Sequence, residues 1–199
     1  SQQWHYNNEG ENGFTAGADI NLFEAWKVET GKPNVIVSVH DQGIVLDHED
    51  LAAHIWVNEA EMNGAEGVDD DGNGYKDDIH GWNYINNSPD IIPEGHGTHV
   101  AGTISAVNNN GIGVCGVAGG TGNGDGARIM SLAIFDSTSA NAGSYPDAYA
   151  YAADNGAVIS QNSWGYTSGV AMPQDVSDAL DYFIANAGVD ENGNQTGPM

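Results

Sequence analysis

Asn34-Val35-Ile36-Val37-Ser38-Val39-His40-Asp41-Gln42-Gly43 is the stretch on which the reading of the fold turns. β-Branched residues dominate positions 35 to 39, and side chains stiff at χ1 pack well on a pleated surface. The run therefore predicts a buried strand, ending at the polar turn His40-Asp41-Gln42-Gly43. Working outward, Ala127 to Phe135 and Val158-Ile159-Ser160 read as two further apolar strands. Between them lie helical patterns. From His96, Val100, Ile104 and Val107 fall four and three apart until Asn108-Asn109-Asn110-Gly111 breaks the helix. Residues 146 to 155 are rich in Ala and Tyr, opened by Pro146-Asp147 and closed by Gly156. Pro173 opens a last helix with Val176, Leu180, Phe183, Ile184 and Ala187 on one face, stopped at Gly188. Strands alternating with helices predict an α/β fold with a mainly parallel sheet. Residues 46 to 95 show no clear period and read as a long irregular segment of the kind that serves binding. The polar, glycine-rich run from Glu191 to Met199 reads as a chain that stops inside a loop.

The 199 residues suit one domain, and neither repeat nor linker divides them. Four Lys+Arg stand against 28 Asp+Glu, a net charge of −24. Such a field repels phosphates, so it argues against nucleic acid and anionic membrane and favours multivalent cations and secretion. No apolar run approaches the ~20 residues of a membrane helix, so no membrane insertion is expected. The single cysteine, Cys115, excludes an internal disulfide and reads as a small buried hydrophobe. Trp26, Trp56 and Trp82 read as packing residues, and the tyrosines of the 146–155 helix have no further role. The polar start Ser1-Gln2-Gln3-Trp4 reads as a processed terminus.

In parallel sheets, catalytic groups collect at the carboxyl ends of strands, where Asp41 stands. A lone Asp there also reads as an ordinary turn former. The octapeptide His96-Gly97-Thr98-His99-Val100-Ala101-Gly102-Thr103 says more. A histidine in the first turn of a small-residue helix is held rigidly, and Gly97 leaves room for a close neighbour. A base that takes a proton from a hydroxyl needs that placement and a carboxylate on its other ring nitrogen, which Asp41 can supply. A zinc site on His96 and His99 is remote, since i,i+3 spacing fits poorly.

Asp69-Asp70-Asp71-Gly72-Asn73-Gly74-Tyr75-Lys76-Asp77-Asp78 sets oxygens at alternating positions with glycines between. That pattern predicts a Ca²⁺ loop with ligands from Asp69, Asp71, Asn73, the Tyr75 carbonyl and Asp77, with Asp78 as the alternative to Asp77. His80 stands where an EF-hand has its bidentate Glu, so the loop is not an EF-hand. Asp190-x-Asn192-x-Asn194 is a weaker oxygen pattern that reads better as a polar linker.

These segments carry a family resemblance. The run from Val35 to Ile44 with His48-Glu49-Asp50-Leu51, the octapeptide from His96, the run from Asn110 to Ala118, and Asn162-Ser163-Trp164-Gly165 resemble the subtilisin-like serine peptidases, the subtilases, in the family's order. The resemblance implies a three-layer fold, a mainly parallel sheet with helices on both faces, incomplete in this chain. It implies that Asp41 and His96 are the triad Asp and His, with His99 structural. Ser163, Trp164 and Gly165 match the edge that pairs with substrate backbone, and the loop after Phe135, with Ser137, Thr138 and Ser139, matches the opposite rim. It also implies a second Ca²⁺ between Gln2 or Gln3, Asp50, Asn110 and the carbonyls of Asn108, Ile112 and Val114. The chain departs from the pattern in one respect: neither a nucleophile motif nor an oxyanion Asn follows. Residues 1–199 thus resemble the N-terminal portion of one catalytic domain, expected to be inactive alone. A second fragment would carry the catalytic Ser and the oxyanion Asn. The expected function is a calcium-stabilised endopeptidase acting on polypeptides, secreted or at the cell surface after removal of signal and pro-segment. The alternative is a non-catalytic calcium- or peptide-binding relic of the same fold.

Overall fold

Four strands, β1 (Ile36–Asp41), β2 (Gly81–Asn83), β3 (Arg128–Ala133) and β4 (Ile159–Gln161), form one parallel sheet in the order β2-β3-β1-β4. The computed structural model describes residues 3–137, 142–166 and 169–189, the side chain of Asn12 apart. The helices are α1 (Leu22–Ala25), α2 (Glu59–Met62), α3 (Gly95–Ser105), α4 (Tyr145–Asp154) and α5 (Gln174–Asn186).

The sheet separates two apolar cores, which makes the architecture three-layered. On one face Val37, Val39, Ile44, Leu51, Ile55 and Ile129 pack with Ala101 and the rest of α3. On the other, Met130 and Leu132 pack with Tyr149, Tyr151 and Ala152 of α4 and Val176 and Phe183 of α5. The period of two along a strand decides which β1 residue meets which core. Val37, Val39 and Asp41 share the α3 face. Ser38 and His40 share the α4 face, where the His40 ring stacks on Tyr149 at 4.5 Å.

Local chemistry explains the helix ends. Ser144 caps α4 by accepting the Asp147 N–H, with Pro146 in the first turn. Glu94, in extended conformation, precedes α3, and its carbonyl accepts both the N–H and the hydroxyl of Thr98. α3 stops at Ser105, short of the expected Val107, because the Val107 N–H is drawn away to the Asp50 carbonyl.

Several expectations are corrected. β1 runs through His40 and Asp41, because the ladder to β3 continues to the Asp41–Ala133 pair. The segment 46–95 is not wholly irregular: it holds β2, α2 and a 3₁₀ turn at Ala52–His54, each too short to show a period. Ile184 is 65% exposed; one residue past buried Phe183, it is rotated about 100° off the core stripe. Cys115 is half-buried. Trp56 and Trp82 are buried.

Candidate active site

Asp41 and His96 meet where β1 ends and α3 begins. Asp41 is fully buried, and its Oδ1 accepts the Gln42 N–H at 2.7 Å and lies 2.7 Å from His96 Nδ1. A carboxylate only accepts, so Nδ1 carries the proton of this bond, and in the neutral ring Nε2 keeps its lone pair. The His96 side chain is 52% exposed, so one edge is held by Asp41 while the other faces the open side. Gly97 permits this approach: a Cβ there would lie 2.1 Å from the Gln42 carbonyl oxygen. Thr98 adds a tie, its hydroxyl accepting the Val45 N–H at 3.0 Å. What results is a fixed imidazole with a free basic nitrogen beside a buried anion, the arrangement of a general base.

The other expected substrate residues stand at the same end of the sheet. Ser163, Trp164 and Gly165 continue the chain past β4 without a ladder partner among the described residues, and Ser163 and Gly165 are exposed. Trp164 turns inward: its indole stacks on Tyr145 at 4.9 Å and donates to the His40 carbonyl at 2.9 Å. The Ser163 hydroxyl accepts from Gln161 Nε2. Ser137 follows β3 in a loop closed by the Phe135–Ala142 bridge, and its hydroxyl donates to the Glu94 carboxylate. Thr138 and Ser139 lie outside the described residues, as do Gln2, Asp190, Asn192 and Asn194.

Carboxylates converge in the acidic loop, though not all of those expected. Among the described residues, oxygens of Glu61, Asp71 and Asp78 lie within 4.8 Å of one another. Asp78 is fully buried, and burial pushes its carboxyl above the ordinary carboxylate range. It takes hydrogen bonds from the amides of Asn58 and Asn73 and from the Tyr151 hydroxyl, which gives that tyrosine more than a packing role. Asp69 is turned to the N–H groups of Gly72, Asn73 and Gly74, and Asp77 to that of Gly67. The Tyr75 ring packs among Trp82, Tyr84 and Tyr151, so only its carbonyl is available for a cation. Sequence reasoning missed Glu61. Its one usable signal was Asn58, the cap of the single-turn helix α2.

The second expected cation group is partly assembled. Buried Asp50 accepts from Asn110 Nδ2 at 2.7 Å and the Val114 N–H at 2.8 Å, while Gln3 exchanges two hydrogen bonds with the backbone of Cys115. The Asn110 carbonyl oxygen of the side chain accepts the Ile112 N–H. Asn108 turns its side-chain amide to the Gly120 carbonyl. His99 is exposed and joins no metal-ligand cluster among the described residues.

A family model described as the subtilase family matches residues 32–194. The chain belongs to the subtilase family. A subtilisin-like protease 1 from Plasmodium berghei is 53% identical over 91 residues, 45% of this chain and 14% of that protein. A halolysin-like extracellular serine protease from Natrialba magadii is 31% identical over 150 residues, 75% of this chain and 24% of that protein. The crystal structure of a serine protease of Aeromonas sobria superposes with a TM-score of 0.63 at 25% identity, covering 91% of this subtilase chain and 28% of that one. The chain thus spans less than a third of these relatives. Its α/β sheet with helices on both faces is a subtilase fold.

Proposed function

We propose that this subtilase segment is the Asp- and His-bearing part of a calcium-stabilised serine endopeptidase. The observation that carries the reading is the 2.7 Å bond between His96 Nδ1 and the buried carboxylate of Asp41, with Nε2 on the open side. In the reaction, a serine hydroxyl from the part of the domain following this segment attacks the peptide carbonyl. His96 Nε2 takes the hydroxyl proton and returns it to the leaving amine, and the same steps with water release the acyl group. Asp41 holds the tautomer and stabilises the imidazolium. The oxyanion Asn would come from the same absent part. Substrate backbone would lie along Ser163–Gly165, a β-augmentation, with the loop of Ser137, Thr138 and Ser139 opposite. A cavity of about 880 Å³ beside α3, bordered by His99, Gly102 and Thr103, offers that second part a surface to pack on.

Calcium fits the donors. Glu61, Asp71 and Asp78 offer only hard oxygens at close quarters, with the Asn73 side chain and Tyr75 carbonyl nearby, and such a set suits Ca²⁺ better than a softer ion. Asp69 and Asp77 would shape the loop. Asp50, Asn110, Gln3 and the carbonyls of Asn108, Ile112 and Val114 remain the proposed second group. Secretion or surface exposure agrees with the acidic surface and with the Natrialba relative's description as extracellular.

The test uses the complete enzyme. A serine-directed fluorophosphonate should label a serine outside residues 1–199, and His96→Ala should lower kcat/KM by about 10³-fold or more. Hydrolysis that survives His96→Ala would overturn the reading. Intact protein without labelling or hydrolysis would favour the non-catalytic relic.

A further inference from the structure

Tyr149 is buried in α4, yet its ring and its hydroxyl reach two different parts of the proposed site. The ring stacks on His40 at 4.5 Å, one residue before Asp41. The hydroxyl donates to Asn162 Oδ1 at 2.7 Å, one residue before Ser163. Burial pushes the pKa of this hydroxyl up to about 12, so it stays a donor through neutral and mildly alkaline pH. Asn162 is aimed from its other end as well. Its Nδ2 donates to Ser160 Oγ at 2.9 Å, which leaves the side-chain oxygen for Tyr149. A phenylalanine would fill the same space against His40, so the polar atom has its use toward Asn162 alone.

The bond stands where the ladder stops. β4 pairs with β1 as far as Gln161, opposite Val39. Among the described residues no ladder bond holds the chain from Asn162 to Gly165. Two side-chain bonds take over, from the Trp164 indole to the His40 carbonyl and from the Tyr149 hydroxyl to Asn162. An edge that receives an incoming strand must keep its own backbone groups unbonded on that side. If nothing else fixed it, it would lose conformational freedom at every binding event, and binding would weaken.

We infer that Tyr149 is a positioning residue: acting through Asn162, its hydroxyl pre-orders the edge Ser163–Gly165 for the substrate backbone. The inference rests on the proposed function, since it needs that edge to receive substrate. A peptide with several residues on the amino side of the scissile bond pairs along the pre-ordered edge. A single-residue ester has no backbone to pair there.

The experiment follows kcat/KM of the complete enzyme on a tetrapeptide amide and on an N-acetylated single-residue ester. Tyr149→Phe keeps the stack on His40 and removes the hydroxyl alone. The peptide-to-ester ratio should fall about fivefold, the worth of one neutral hydrogen bond, with the loss lying in KM for the peptide. Asn162→Leu should lower the ratio at least as far. Adding Tyr149→Phe to it should lower the ratio no further, because the two side chains act as one unit. A ratio untouched by Tyr149→Phe, an equal loss on both substrates, or additive losses in the double variant overturns the inference. So does failure of both single variants to fold, since the pair then serves stability and not substrate. If hydrolysis by the unaltered enzyme still requires His96, the proposed function stands and only Tyr149 loses its role. Absence of both hydrolysis and serine labelling overturns the two together.

Discussion

The indole N–H of Trp164 donates to the carbonyl of His40 at 2.9 Å, one residue before the buried carboxylate of Asp41. The exposed edge at Ser163–Gly165 is thereby tied to the strand that carries the anion of the proposed base, and the stack on Tyr145 ties it to α4. Trp164→Phe keeps the stack and loses the bond, which is worth about 1 kcal/mol. In the complete enzyme KM should rise about fivefold with a smaller change in kcat, since binding geometry and not the proton relay is disturbed. Steady-state kinetics on a peptide series checks this; an unchanged KM would separate the tie from substrate binding.

Gly97 is where α3 and the turn after β1 come closest. A Cβ there would overlap backbone, the Gln42 carbonyl oxygen, and no rotamer relieves it. Gly97→Ala should cost about 1–3 kcal/mol, seen as a lower melting temperature. It should also lengthen the His96–Asp41 contact, read as a change in the imidazole Nδ1–H signal by NMR.

His40 is fully buried, its ring stacked on Tyr149 and its Nε2 3.0 Å from the Ser38 hydroxyl, and burial lowers its pKa from 6.5 to about 3. The unfolded chain gains a proton below about pH 6.5 that the folded chain refuses. Stability is therefore complete above that pH and falls toward pH 3, by about 1.4 kcal/mol per unit from this residue. His54 acts in the same direction: burial lowers its pKa, and its Nε2 lone pair accepts the Gly126 N–H. Asp78, raised by burial, works oppositely at the acid end. Denaturation of His40→Gln between about pH 6 and about pH 4 should show a slope shallower by about 1.4 kcal/mol per unit.

Calcium should stabilise the native state alone. At about a hundredfold excess over Kd the gain is about 2.7 kcal/mol, a rise of roughly 5–10 °C for a domain of this length. Glu61→Gln and Asp78→Asn should each weaken that rise more than Asp69→Asn, whose carboxylate caps the loop's own N–H groups. Thermal melts with calcium and with chelator provide the measurement. Melting temperatures that ignore calcium would remove both proposed cation groups.

Three strands, three long helices and the residues of the proposed base were legible in the sequence because each is written locally. A β-branched run, a helical period and a histidine in a small-residue first turn need no distant partner to be recognised. Glu61 and β2 were not legible, since a single helical turn and a three-residue strand show no period. The sequence by itself determined the α/β alternation, the acidic surface, and the residue types available for proton transfer and cation binding. Only the tertiary structure decided which of them meet. Strand alternation sends Asp41 to the α3 face and His40 to the α4 face, and Gly97 lets α3 approach until His96 reaches that carboxylate. Such meetings depend on which elements the cores bring side by side, a nonlocal outcome of packing that no window of neighbouring residues records.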